Sequence, residues 1–265
     1  MLKILKYLFL IAVISCVGFV PKPPKAAKPV RKFTLVIDAG HGGKDPGARG
    51  KIAREKDIVL EMALKLARKI KKDSPNVRVI LTRATDEFIE LNERSEIANR
   101  NKADLFVSIH CNAVPKNNVV HGTETFAMGL HKSNENLEVA KRENAVILQE
   151  DNYQQTYKGY NPKSPLAHIM LANFQNAYLT NSLGLADKVE KQFKKAGRSS
   201  RGVKQAGFIV LWRAAMPAVL VEAGFLSNRD EEEYLNSEEG QDEITDSIFN
   251  ALKIYREDIE KNEDQ

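Results

Sequence analysis

Short runs of β-forming residues alternate with longer stretches of helical periodicity through the first half of this chain, and that alternation limits the fold more than any other feature. Phe33-Thr34-Leu35-Val36-Ile37-Asp38, Val77 to Thr82 and Leu105 to Ile109 read as buried strands. Between the first two, a helix opens at Glu55 with Ile58, Leu60, Met62, Leu64, Leu66 and Ile70 along its apolar face; between the second and third, Leu91 to Asn99 is helical. Strand, helix, strand, helix, strand predicts an α/β domain with helices on the faces of the sheet. The apolar fraction of 43% is enough for a substantial core.

Further along, Gly122 to Phe126 is expected as an edge strand, followed by helices at Leu137 to Glu150 and Ala167 to Lys194. The polar run Asp151 to Ser164 between them reads as a flexible loop. Two more strands are expected, Gly207 to Leu211 and Ala218 to Glu222, then a last helix from about Glu238 to Tyr255 with Ile244, Ile248, Leu252 and Tyr255 on one side. Residues 127–180 are longer than a crossover between strands requires.

The N-terminus speaks to location. Lys3 and Lys6 precede an apolar run from Tyr7 to Val20 that Pro21-Lys22-Pro23-Pro24 ends. That run suits a signal-peptide core, since a membrane span needs roughly 20 residues. Residues 21–32 form a stiff, basic, Pro-rich spacer. The expectation is an exported protein of the periplasm or cell envelope, touching the membrane only through its signal or through a lipid on Cys16, whose setting Ala12-Val13-Ile14-Ser15-Cys16 loosely resembles a lipoprotein cleavage site. The chain has two cysteines, Cys16 and Cys111, so no disulfide framework supports the fold. The net charge of +5 is partly gathered in the spacer, while the chain from Asp230 is acidic, which gives no reason to expect a nucleic-acid groove.

Two of the predicted strands lead straight into histidines: Val36-Ile37-Asp38-Ala39-Gly40-His41-Gly42-Gly43 and Ser108-Ile109-His110-Cys111-Asn112-Ala113. A lone histidine at a strand end is more often a hydrogen-bonded structural residue. Two of them beyond the carboxyl ends of neighbouring strands, where ligands collect in α/β sheets, suggest a metal. A catalytic zinc site needs a third protein ligand and leaves the fourth position to water. Glu55, at the start of the first helix, is the candidate ligand. Glu222, ending a strand of Ala218-Val219-Leu220-Val221, is a carboxylate placed to act as base toward a metal-activated water. Cys111 follows a ligand in an extended segment, so it should face the opposite side, into packing. His121 is a minor site candidate, and His131 and His168 are expected at the surface.

These residues resemble the zinc-dependent N-acetylmuramoyl-L-alanine amidases of the cell-division type. The matching pieces are Ile37 to Gly43, Glu55-Lys56-Asp57, Leu81-Thr82-Arg83, Arg94 to Asn99, Ser108 to Ala113 and Pro217 to Asn228, within a resemblance covering about Phe33 to Tyr255. The resemblance implies a single catalytic domain over residues 33–258, a phosphorylase/hydrolase-like α/β fold with a mixed, mostly parallel central sheet, and a disordered tail at 259–265. It also implies one zinc ion on His41, Glu55 and His110, Glu222 as the catalytic carboxylate, and peptidoglycan as substrate, cut between N-acetylmuramic acid and L-alanine during wall remodelling and daughter-cell separation. In some relatives an inserted helix covers the zinc until an activator protein displaces it. Here Glu143 or Glu150 in the segment 127–180 would supply the covering carboxylate. A metallopeptidase cutting within the stem peptide and a wall-binding module without catalysis are the competing readings.

Overall fold

The computed structural model of the chain describes residues 32–114, 118–172 and 177–263. The expected export signal, Cys16 and nearly all of the basic spacer therefore lie outside the described residues. Six strands form one sheet in the order β2-β1-β3-β6-β4-β5: β1 Thr34–Ala39, β2 Arg78–Leu81, β3 Leu105–Asn112, β4 Thr123–Met128, β5 Ser200–Ala206 and β6 Ala218–Phe225. β2, β1, β3 and β6 run parallel, β4 is antiparallel to β6, and β5 is parallel to β4. The C-terminal end of β6 therefore meets the beginnings of β4 and β5.

The helices divide between the faces of this sheet. On one face lie α1 (Glu55–Asp73), α6 (Leu179–Lys195), α8 (Arg229–Leu235) and α9 (Glu238–Glu263). Every third or fourth residue of α1 is buried there, including Ile58, Met62, Leu66 and Ile70, as the helical period demands. They pack against Leu35, Ile37, Val107, Ile109, Val219 and Val221, the residues of one strand parity. The opposite parity, Val36, Phe106, Phe126 and Leu220, faces α2 (Leu91–Arg100) and the long segment between β4 and α6. That segment holds α3 (Asn134–Asn144), a 3-10 turn (Ala145–Gln149), and the short helices α4 (Tyr153–Thr156) and α5 (Pro165–Ala172). A single helical turn, α7 (Ile209–Trp212), lies between β5 and β6.

Four expectations change. β4 is an interior strand, because β5 pairs along its outer side. The strand expected at Gly207 to Leu211 lies instead at Ser200–Ala206, and α7 follows it. Its sequence Ser-Arg-Gly-Val-Lys-Gln-Ala lacks apolar alternation because an outermost strand keeps polar side chains. The last helix runs on to Glu263, so residues 259–263 are helical rather than part of a disordered tail, with Ile259 packed against the core. Asp151 to Ser164 is not a featureless loop: α4 and a series of backbone turns order it, and Tyr157 is buried.

Candidate metal centre

His41 stands just past the end of β1, in a left-handed backbone conformation (φ 60°) that is uncommon for a residue with a side chain. The surroundings over-determine it. Arg94, fully buried at the start of α2, donates to the carbonyls of Ala39 and His41 at 2.7 Å each and to Asp38 at 2.8 Å. Arg83 donates to the carbonyls of Ala39, Gly40 and Lys56. Asp38 also accepts from Thr82 and Ser108, so the buried carboxylate is fully partnered. Its burial opposes charge, yet Arg94 and the two hydroxyls hold its pKa below the usual carboxylate range. This network clamps the loop carrying His41 to the sheet.

The second imidazole comes from His110 on β3. A side chain at Gly40 would come within 2.5 Å of that ring, so the glycine is what lets the ring lie over the loop. Glu55, the first residue of α1, reaches in between the two. Its Oε1 lies 3.1 Å from His41 Nε2 and 3.1 Å from His110 Nδ1 and accepts the Cys111 amide at 2.9 Å, while its Oε2 accepts the Ala48 amide at 2.7 Å. Asp45 holds the far side of the His41 ring, Nδ1 to Oδ2 at 2.6 Å, which turns Nε2 toward Glu55.

A fourth donor arrives from α3. Glu143 Oε2 stands 3.2 Å from His41 Nε2 and 3.1 Å from His110 Nδ1. The ligand atoms of His41, Glu55, His110 and Glu143 all lie within 4.8 Å of one another and all four residues are buried. Two of these atoms, His41 Nε2 and Glu143 Oε2, have no hydrogen-bond partner despite their burial. Unpartnered buried polar atoms are costly, and a shared cation would satisfy both. A zinc ion bonded at about 2.0–2.1 Å would put tetrahedral ligands roughly 3.3 Å apart, close to the spacing found. The donor set of two imidazoles and two carboxylates also suits zinc.

Electrostatics agree with this reading. Burial opposes a charged His110, but Glu143 and Glu55 raise its pKa to about 10. Burial likewise opposes an ionised Glu55, but the imidazoles pull it down to about 2. Carboxylates that would hold a proton on an imidazole would equally hold a divalent cation in its place. Glu222 lies beside His110 in the β3–β6 register and is fully buried with both oxygens unpartnered. Burial, then repulsion from Glu143, pushes its pKa well above the usual carboxylate range.

The profile of the N-acetylmuramoyl-L-alanine amidases matches residues 35–254. The chain belongs to that family. It is 34% identical over 239 residues to the amidase AmiC of Escherichia coli O6:H1, covering 89% of this chain and 55% of that protein. To the amidase AmiA of Escherichia coli K12 it is 32% identical over 236 residues, covering 88% and 79%. Among solved structures, the CwlD amidase from Clostridioides difficile in complex with the GerS lipoprotein superimposes with a TM-score of 0.62 at 27% identity, covering 85% of this chain and 98% of that one. This is an amidase of peptidoglycan, and its family acts outside the cytoplasm.

Of the residues singled out in the sequence, the amidase brings together His41, Glu55, His110 and Glu143, with Glu222 alongside. Glu150 is elsewhere: its carboxylate accepts the Leu91 amide at the start of α2 and the Tyr157 hydroxyl. Helix α3 ends at Asn144 and the chain turns, which separates the two glutamates. Cys111 packs into the apolar core on the other face, and burial raises its thiol pKa. His121 is exposed and bonds to the Val119 carbonyl. His168, expected at the surface, is fully buried in the inserted segment, with Nε2 2.8 Å from the Pro162 carbonyl and the ring against Tyr160. Asp45, Arg83 and Arg94 complete the site, and no role for them is legible in the sequence alone. The signal for Asp45 was its place four residues after His41, and for the arginines their occurrence beside apolar runs.

Two residues flanking Glu143 fix α3 in place. Arg142 donates to Asn112 Oδ1 and the Ala113 carbonyl at 2.8 Å each. Asn144 accepts the Ile209 amide at 2.9 Å and donates to the Gly207 carbonyl at 2.7 Å and the Tyr160 hydroxyl at 2.9 Å.

Proposed function

We propose that this amidase cuts the bond between the lactyl carbonyl of N-acetylmuramic acid and the nitrogen of L-alanine with one zinc ion held by His41, Glu55 and His110, and with Glu222 as its catalytic residue. When bound, zinc supplies a Lewis acid and an activated water near neutral pH. Glu222 takes a proton from the attacking water as the new carbon–oxygen bond forms. It returns that proton to the alanine nitrogen as the carbon–nitrogen bond breaks. Burial and the neighbouring Glu143 raise the Glu222 pKa, which makes the carboxylate hold a proton more readily than an ordinary one and suits it to carry the proton from water to the leaving nitrogen. The observation that carries this reading is the unpartnered Glu222 carboxylate beside His110, at the edge of a four-donor cluster.

In this reading Glu143 is the restraint. It takes the place in the cluster that catalysis leaves to water and substrate, so α3 acts as a lid. An activator protein would displace it, and α5 offers an apolar surface nearby, with Leu166 64% and Met170 65% exposed. A groove of about 500 Å³ beside them is lined by Tyr160 and Trp212 among others. That a relative is solved with a lipoprotein partner supports the idea that such enzymes are governed by a bound protein. Residues 1–20 would export the chain to the periplasm, and the enzyme would act in wall remodelling and daughter-cell separation.

The test is fragment analysis of purified peptidoglycan. The wild-type chain should release intact stem peptides with a free L-alanine amine. Chelation should abolish release, and Glu222→Gln should reduce it by about 10²–10⁴-fold while leaving bound zinc unchanged. Clipped stem peptides would reveal a peptidase, and an unaffected Glu222→Gln protein would remove Glu222 from the reaction.

A further inference from the structure

The row of side chains that begins at the metal cluster does not stop at Glu222. His110 on β3 is paired with Glu222 on β6, and Glu222 is paired with Glu124 on β4. Paired residues share a face of the sheet, so the three stand side by side. On β5, the register break between Thr123 and Thr125 brings Arg201 against Glu124, and its Nε donates to Glu124 Oε1. Lys204 donates to the same oxygen at 2.6 Å, and Asn112 approaches the other at 3.3 Å. Glu124 is buried at 2% exposure, whereas Arg201 keeps 31% of its side chain exposed. The outer end of the row therefore carries two cations on one buried carboxylate, a net positive charge beside an open groove.

That groove has a volume of about 360 Å³. Glu124, Arg201 and Phe225 line it from the sheet, and Glu135, Glu138 and Arg142 line it from α3. Glu135 Oε2 comes to 3.5 Å from Arg201 Nη2, two turns of helix before Glu143 meets the histidines. Eight residues of helix rise about 12 Å. Three strand spacings from His110 to Arg201 come to about 14 Å. Helix α3 thus sets two carboxylates over the row at the separation between the metal cluster and Arg201.

We propose that Arg201, held by Glu124, is a subsite for a carboxylate of the stem peptide, and that Glu135 stands in that place while α3 covers the site. The proposal rests on the amidase reading and names what that site recognises beyond the scissile bond. An extended peptide advances at most about 3.3–3.6 Å per residue, so a stem leaving the metal cluster along the row needs about four residues to cover that span. A distal carboxylate arrives on the backbone alone, and the second residue's carboxylate only with the added length of the Arg201 side chain. Two groups share the required chemistry: the α-carboxylate of the second stem residue and a carboxylate farther along the stem. Arg201 offers its remaining guanidinium N–H groups to either, while Nε stays on Glu124.

The test uses soluble muropeptides that differ only in whether the second-residue carboxylate or the distal carboxylate is free or amidated. The full-length chain carrying Glu143→Gln is compared with the same chain also carrying Arg201→Gln or Arg201→Lys. Amidating the recognised carboxylate should raise KM about tenfold with kcat within twofold, and Arg201→Gln should erase that difference by raising KM only for the free-carboxylate substrate. Arg201→Lys should retain part of it. The same contrast should appear in calorimetric binding of the corresponding stem peptides, which needs no turnover. Equal weakening of every substrate by Arg201→Gln, or no change, would overturn the subsite, as would a wild-type preference that persists without Arg201. If peptides discriminate in binding but no lactyl–alanine bond is cut, the subsite stands and the catalytic reading falls.

Discussion

The two faces of the sheet are built by opposite means. The face under α1, α6 and α9 is mainly apolar, with Leu66, Val189, Phe193, Ile244 and Ile248 closing on strand residues of one parity. Glu190 of α6 forms a buried polar cluster there with Thr123, Thr125 and Ser200. The face under α2 and the inserted segment is apolar only toward the far end of the strands, and gives way to Asp38, Ser108, His110, Glu222 and Glu124 at the edge. One face holds the sheet rigid, and the other uses that rigidity to keep charged groups where water would otherwise take them. The polar face can be strained because the apolar face is not.

The contrast would break first at Phe193. Phe193→Ala on the fully buried apolar face should cost about 3–5 kcal/mol of stability in thermal or denaturant unfolding. The molecules that remain folded should keep their kcat. A selective loss of kcat would show that the faces are not separable. Next comes the lid: Glu143→Gln removes a carboxylate from the cluster and should raise basal wall hydrolysis about 5–150-fold, the span of a 1–3 kcal/mol coupling. Unchanged basal activity would mean that α3 flanks the site without restraining it. Asp45→Asn should weaken zinc binding about 10–100-fold in competition with a chelating dye, with little loss of stability. Equal metal affinity would strip Asp45 of its orienting role.

The smallest effect is one of pH. Burial holds the pKa of His168 below its ordinary 6.5, so the unfolded chain binds the proton more readily. Its contribution is fully present above about 6.5 and is lost as pH falls from there through the lower folded value. Hydrogen exchange should therefore quicken in residues 144–168 on going from pH 7 to pH 5, beyond the intrinsic pH trend, while α6 and α9 keep their protection. Parallel loosening of both faces would assign the change to some other group.

These contrasts also explain what the sequence made legible. Strands such as Leu105 to Ile109 and helices such as Glu55–Asp73 announce themselves because burial on an apolar face demands a regular period. His41, His110, Glu55 and Glu222 stood out because each interrupts or ends such a run. β5 escaped notice because its polar residues serve Glu124 and Glu190 through Arg201, Lys204 and Ser200 rather than the core. His168 looked like a surface residue because its burial depends on Tyr160, Pro162 and Asn144, contacts created only when the inserted segment folds back. The choice between Glu143 and Glu150 likewise depends on where α3 ends: the first lies within the helix and meets the histidines, and the second, seven residues on and past the turn, goes to the start of α2.

Arg142, Glu143 and Asn144 are consecutive, yet they fasten to the end of β3, to the histidine pair and to the loop after β5. Moving the helix off the site would break all three sets of contacts together, because the three side chains share one short piece of backbone. A lid built this way would open in one concerted step. For an enzyme whose substrate bears the cell's turgor, such a lid would keep weak or passing encounters with other proteins from raising cutting above its basal level.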